Sequence, residues 1–268
     1  SVVVKLVMER EEEIKKFESA PYFKISGNFD YENSSLQADL NKEKEITSIE
    51  EAKTILEFCQ EADFWIDDVK TRKTKRQPPL PFITSSLQQE ASQKLGMSPK
   101  ETMSIAQKLY ENGKITYMRT DGTNISNEAV KEFRSFVEDD LGKNYLPDTP
   151  NSYKGKKAKN AQEAHEAIRP TDINKKPNEM KKYLSTDQFK LYDLIWSRAL
   201  ASQMKAAEFN RNTIQIHSKD SSVQFTSSGS VIKFDGFLKI YSFQNDDEEK
   251  NILPEVKVGE KLSLGELI

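Results

Sequence analysis

The sequence predicts an α+β chain of more than one domain, in which two β-rich stretches bracket a mostly helical insertion. Three observations carry that prediction. Alternating apolar and polar residues recur up to about residue 76 and again from about 206. Between them, apolar residues recur at helical spacing behind clear capping signals. Gln77-Pro-Pro-Leu-Pro81 interrupts the first pattern and marks a boundary. The expected divisions are 1–14, an opening helix; 15–76 and 206–268, two parts of one discontinuous β-rich domain; and 77–205, the inserted helical domain.

Composition narrows the classes. Hydrophobic residues make up 36% of the 268, and charged residues 31%, which suits several small cores better than one thick one. Twenty-five aromatics (14 Phe, 9 Tyr, 2 Trp) argue against disorder. One cysteine, Cys59, rules out an internal disulfide framework and a cysteine zinc site, and two histidines rule out a multi-histidine metal site. No apolar run reaches membrane-spanning length and no signal peptide is visible, so a soluble, intracellular chain is expected. Residues 77–205 hold 20 Lys and Arg against 16 Asp and Glu, a net of +4 in a chain of net charge −3. The insertion is the basic part of an acidic protein, which points weakly to an anionic partner.

The elements follow in order. Residues 1–17 read as a helix with Val2, Val3, Leu6 and Val7 on an apolar face, and the chain opens as an excised piece would. Tyr22 to Ser26 alternates, and Gly27-Asn28 reads as a turn. Ser48 caps a helix over Glu50–Cys59, and Phe64–Val69 reads as a strand followed by the basic run Lys70–Arg76. A helix from about Ser86 to Leu95 stops at Gly96. A second starts at Ser98-Pro99-Lys100-Glu101, where Ser98 caps, Pro99 fills the first helical position and Glu101 completes a capping box. Helix, short glycine turn, helix, then Lys114–Thr120 as a strand, suggests a winged-helix-like subdomain. Ser126 caps a further helix lined by Val130, Phe133, Val137 and Leu141. Residues 143–162 read as a loop carrying Lys154, Lys156, Lys157 and Lys159, and a long helix spans roughly 185–205. Strands are expected at Thr213–His217, Val223–Phe225, Val231–Phe234, Phe237–Tyr241 and Lys261–Ile268.

Two segments carry chemistry. In Tyr117-Met-Arg119-Thr120-Asp121-Gly-Thr123, a phenol, a guanidinium, a carboxylate and two hydroxyls lie together. Period 2 on a strand would place Tyr117 and Arg119 on one face. The planar fork of Arg suits a phosphate, and a neighbouring Tyr can attack phosphorus. The plain alternative is a surface strand with an ordinary tyrosine and a charge pair. In His165-Glu166-Ala-Ile-Arg169-Pro170, His165 and Arg169 would share a face on a helical turn. A lone histidine is more often structural than catalytic, but His165 sits among two carboxylates and an arginine after a lysine-rich loop, and both readings stay open.

Taken together and in this order, Tyr-Met-Arg-Thr-Asp and His-Glu-Ala-Ile-Arg-Pro resemble the type IA DNA topoisomerases, chiefly their bacterial members. Pro81–Gln89, Ser1–Ile14 and Val231–Phe237 are similar to further stretches of that family, so the resemblance covers essentially the whole chain. It implies that 15–76 and 206–268 form the family's arch domain, 77–205 the domain carrying the tyrosine, and 1–14 a remnant of the DNA-gate domain. It implies Tyr117 as the nucleophile that becomes joined to a 5′ phosphate, and Arg119 as the holder of the scissile phosphate. His165 would assist through hydrogen bonds, with Asp121 as a partner. Thr120, Thr123, Glu166 and Arg169 are implied as DNA-binding. Gly122 stands where the family has Ser, which changes the turn and leaves the hydroxyls of Thr120 and Thr123.

The family's metal-binding acidic domain has no counterpart here. The chain is therefore expected to be a central fragment with no metal ligands of its own, inactive alone, whose parent uses Mg2+ bound elsewhere. The implied partners are single-stranded and negatively supercoiled DNA, with no membrane, in a cytoplasmic monomer. Three alternatives are a winged-helix DNA-binding module without catalysis, a topoisomerase III or reverse gyrase fragment, and a tyrosine recombinase or type IB enzyme. The last is disfavoured because Tyr117 precedes His165 and Arg169.

Overall fold

The computed structural model describes residues 1–32, 34–42, 45–153, 166–242 and 253–268. The chain forms two compact units. One takes Ser1–Thr71, Asn212–Gly229 and Asn251–Ile268, and the other Arg72–Arg211 and Ser230–Lys250.

The first unit opens with α1 (Val2–Lys16), capped by the Ser1 hydroxyl, which accepts the Val4 N–H. None of its residues is buried, so the apolar face read from Val3, Leu6 and Val7 has no cover among the described residues. Helix α2 (Ile49–Glu61) starts at the expected cap, where Ser48 accepts the Glu51 N–H. The strands are β1 (Ser26–Tyr31), β2 (Ser34–Leu40), β3 (Phe64–Arg76), β4 (Ala207–Ser218), β5 (Gln224–Phe234) and β6 (Lys261–Leu267). They close a barrel in the order β1-β2-β5-β4-β3-β6, with β1 antiparallel to both β2 and β6. Inside it, the rings of Phe29, Phe64 and Phe225 meet edge to face with centroids 5.2–5.7 Å apart. Gly27-Asn28 is not a turn but the middle of β1. A side chain at Gly27 would start 2.9 Å from the Phe29 ring, so the glycine makes room for the core aromatic. The basic run Lys70–Arg76 likewise continues β3.

The second unit is a helical core. α3 (Thr84–Leu95) ends at Gly96 in the left-handed region, φ 68°, as its sequence predicts. α4 (Pro99–Glu111) is capped by Ser98, which accepts the Glu101 N–H. α5 (Asn127–Asp140) is capped by Ser126, a short α6 (Pro177–Met180) follows, and α7 (Thr186–Ser202) opens with a capping box between Ser185 and Gln188. α7 is the spine: Leu191, Tyr192, Ile195, Ala199 and Leu200 pack in one core with Leu87, Leu109, Phe133 and Ile168. From α7, Arg198 reaches the start of α3. Its Nε donates to Leu80 O at 2.6 Å, Nη1 pairs with Glu90 at 2.8 Å, and the guanidinium lies over the Phe82 ring.

Two expected strands differ. Phe237–Tyr241 is not a strand; a 3-10 turn occupies Gly236–Lys239. Lys114–Thr120 has no regular structure beyond single-residue pairings, so the strand that would follow α4 in a winged helix is absent among the described residues.

Gly236 sets the turn before Phe237. Its φ is +51°, and an added Cβ would lie 2.6 Å from the carbonyl oxygens of Lys205 and Ala206. Gly236→Ala is expected to lower stability by more than about 1 kcal/mol, because neither backbone carbonyl can swing aside. Urea denaturation midpoints of the two proteins check this.

Candidate active site

The segment from Lys114 to Asn124 lies on the helical unit without being a strand, yet it keeps a strand's alternation. That alternation runs from Tyr117 to Asp121, where Met118 and Thr120 are buried while Tyr117, Arg119 and Asp121 are exposed; Ile115 is buried as well. Met118 is the anchor, fully buried in the core. On either side of it, Tyr117 and Arg119 project outward. Tyr117 is 49% exposed and its ring meets Tyr110 of α4 edge to face, centroids 5.2 Å apart. Arg119 makes no hydrogen bond or ion pair among the described residues, and its guanidinium stands ready for an anion.

Because the segment is not in a sheet, its backbone groups need other partners. One is Thr84, the first residue of α3. Its N–H donates to Thr120 O at 2.9 Å. Its hydroxyl accepts the Thr120 N–H at 2.9 Å and has Met118 O at 2.8 Å and Thr120 O at 3.0 Å within donating reach. The Thr120 hydroxyl accepts the Gly122 N–H at 3.0 Å, closing the turn.

The other partner is residues 166–171. Thr116 N–H donates to Arg169 O at 2.9 Å. The Thr116 hydroxyl donates to Ala167 O at 2.7 Å and accepts the Arg169 N–H at 3.0 Å. Ile115 pairs with Pro170, Phe82 with Ile168 and Asn124 with Glu166. The Ala167 N–H donates to Asn124 O at 2.8 Å. Residues 166–170 are therefore extended, not helical, and their two charged side chains meet each other. Arg169 Nε donates to Glu166 Oε1 at 2.8 Å and Nη2 to Oε2 at 3.2 Å, while Nη1 donates to Pro170 O at 2.9 Å. Glu166 Oε1 also accepts the Ser126 N–H at 2.9 Å. Burial works against ionisation of Glu166. The bonds from Arg169 and the Ser126 N–H, with the Arg169 charge, outweigh it and hold the carboxyl below its ordinary range.

Of the residues singled out in the sequence, Tyr117, Arg119, Thr120 and Asp121 thus share one pinned segment. Thr123 donates its hydroxyl to Tyr153 O at 2.8 Å, and Tyr153 in turn donates to Ser202 O at 2.6 Å; burial pushes the Tyr153 phenol up to about 12. Glu166 and Arg169, implied as DNA-binding, are bonded to each other. His165, Lys154, Lys156, Lys157 and Lys159 lie outside the described residues. Thr84, Thr116 and Ser126 do much of the positioning and were not singled out for it. Ser126 was legible as a cap, but nothing local shows that Thr84 or Thr116 reach residues 34 or more positions away. Beside the segment runs a groove of about 610 Å3 lined by Thr123, Asn124, Ser126, Lys131, Asn151 and Gln203 among others, with no carboxylate among the described residues of its lining. Among the described residues no group of three or more His, Cys, Asp or Glu converges on one point.

Comparison with known proteins gives a consistent picture. The sequence profile of a family described as DNA topoisomerase matches residues 1–268. DNA topoisomerase 1 of Rickettsia bellii is 45% identical over all of this chain and 36% of its own length. That of Campylobacter jejuni is 42% identical over all of this chain and 39% of its own length. The solved structure of full-length topoisomerase I from Thermotoga maritima superposes with a TM-score of 0.80 at 34% identity, covering 98% of this chain and 43% of that one. The chain spans well under half the length of each.

Two outcomes follow from the geometry. Thr84→Val removes the hydroxyl from Thr120 N–H and from both carbonyls, and is expected to cost about 1–3 kcal/mol in urea unfolding. Glu166, ordinarily near 4.5, titrates lower in the folded state. Its contribution to stability is then complete above that ordinary value and is lost as pH falls through the lowered one. Denaturation midpoints measured down that range should fall less steeply for Glu166→Gln than for the parent.

Proposed function

The chain belongs to the DNA topoisomerase family, and from that premise we propose that it is the tyrosine-bearing central part of a type IA enzyme. In this reading Tyr117 Oη attacks a backbone phosphorus of a single strand. The P–O3′ bond breaks, the departing O3′ takes up a proton, and the phosphate stays joined to the tyrosine as a 5′-phosphotyrosine. A second strand passes through the break. The freed 3′ hydroxyl then attacks the same phosphorus, which restores the phosphodiester and the phenol. The bond energy is kept in the ester throughout, so relaxation of negative supercoils needs no ATP.

One observation supports this above the others. Tyr117 and Arg119 project from either side of a buried methionine, on a backbone pinned at both ends. An exposed phenol beside an exposed guanidinium without a partner among the described residues suits a phosphate held for in-line attack. Arg119 offsets charge building on the phosphorus oxygens. Asp121 and His165 are assigned to orient the phenol and the leaving group, and the Thr120 hydroxyl keeps the turn around Asp121 by accepting the Gly122 N–H. The groove beside Thr123, with Lys131 and no carboxylate among the described residues of its lining, is assigned to the anionic strand. Any Mg2+ the parent uses is assigned to parts of the protein outside this chain, and no step here runs through it. The arch role of 15–76 and 206–268, the monomeric state and the cytoplasmic setting belong to the same proposal. A plain DNA-binding module would share the basic insertion, but it gives no reason for a phenol and a guanidinium to be displayed together on a fixed backbone.

The test uses the full-length enzyme and a single-stranded oligonucleotide labelled at its 3′ end. Label should become attached to protein and map to the peptide holding Tyr117. Tyr117→Phe should give no adduct while binding the oligonucleotide with unchanged affinity; adduct formation by that variant would end the proposal. Arg119→Lys should slow adduct formation by about 10²-fold, since a point charge replaces a two-pronged contact. The present chain alone should form no adduct, with or without Mg2+.

A further inference from the structure

We propose that Glu166 and Arg169 are positioning residues for Tyr117: their ion pair fixes the distance between the two points at which residues 166–169 grip the tyrosine segment. The catalytic consequence rests on the function proposed above; the positioning itself does not.

The two grips are separate. At one, the backbone of Arg169 brackets Thr116, the residue before Tyr117, accepting its N–H at 2.9 Å and donating to its hydroxyl at 3.0 Å. At the other, Glu166 pairs with Asn124, seven residues beyond Tyr117, and the Ala167 N–H donates to Asn124 O. Residues 166–169 therefore form a bar across the base of the loop that carries Tyr117, Arg119 and Asp121. No helix sets the length of that bar, because its residues are extended. A two-pronged ion pair between its ends does. The same carboxylate takes the Ser126 N–H, which ties the bar to the first turn of α5.

The chemistry argues against a DNA contact. Three of the guanidinium's N–H groups are committed within four residues, and the Arg169 side chain is only 12% exposed. A phosphate would have to displace Glu166, whose carboxylate would then stand beside an anion. An exposed pair contributes little. This one is sheltered, planar and backed by main-chain bonds, and it sets one geometry among the several an irregular segment could adopt.

The experiment uses the full-length enzyme with Arg169→Lys and Glu166→Gln. The second variant keeps an acceptor for Ser126 N–H and so retains the fold if the first does not. Two quantities are read. The first is the rate of adduct formation at saturating oligonucleotide, alongside the dissociation constant for DNA. The second is amide hydrogen exchange at Thr116, Ala167 and Arg169, with the α7 amides as the internal standard. The expected result is at least a tenfold slower adduct rate, a dissociation constant within twofold of the parent, and faster exchange at the three amides only. A tenfold weaker dissociation constant with an unchanged rate at saturation would make the pair DNA ligands and overturn the proposal. So would unchanged exchange. If the parent enzyme formed no adduct at Tyr117, the proposed function would fail, and the exchange measurement would still decide the positioning role.

Discussion

The constraint on which this site depends is that an irregular segment in a packed unit must still satisfy its backbone. Residues 114–124 have neither a helix nor a sheet to do so, and an unpaired buried N–H or C=O costs about 1–3 kcal/mol. Several of these groups find partners from elsewhere: Thr84 for the carbonyls of 118 and 120, Arg169 for Thr116, Ala167 for Asn124. The arrangement is a chain of dependence that starts in the core. α7 fixes Arg198, Arg198 fixes Leu80 and Phe82, and two residues later Thr84 holds the tyrosine segment. The segment is tied to the helices behind it without being part of one.

How much of this the sequence reveals depends on whether the cause is local. Helix starts are legible because a cap bonds within its own first turn. Ser48, Ser98, Ser126 and Ser185 all do so, and each stands before an apolar repeat. Gly96 is legible for the same reason at the other end. The misreadings have non-local causes. Gly27 looks like a turn residue until the Phe29 ring is seen covering it. Lys70–Arg76 looks like the end of a strand because charge suggests solvent, yet a strand half-exposed on a barrel tolerates it. Lys114–Thr120 has strand alternation because burial alternates, but the bonds that would make it a strand go to side chains and to a distant loop.

The same division applies to the site. Tyr117 and Arg119 could be nominated from residue type and proximity, and the structure displays both. Arg169 and Glu166 were implied by the resemblance, and in the structure their charged ends are bonded to each other. Residue type alone does not separate a cation that awaits a ligand from one already satisfied; the difference lies in how many of its donors the fold has committed. For Arg198 and Arg169 they are bound to named acceptors.

That contrast gives the segment its chemical character. A guanidinium or phenol is useful to a phosphate only if the backbone beneath it does not have to be ordered when the ligand arrives, since ordering would oppose binding and reaction alike. Buried charge is a costly way to order a backbone compared with apolar packing, but apolar packing is permissive of register and a two-pronged ion pair is not. Here the apolar part, Met118 and Ile115, supplies attachment to the core. The ionic and hydroxyl part, Glu166, Arg169, Thr84 and Thr116, supplies register. With attachment and register both provided from below, the exposed side chains of the segment include the phenol of Tyr117, whose ring leans on Tyr110, and the guanidinium of Arg119, which has no hydrogen-bond or ion-pair partner among the described residues.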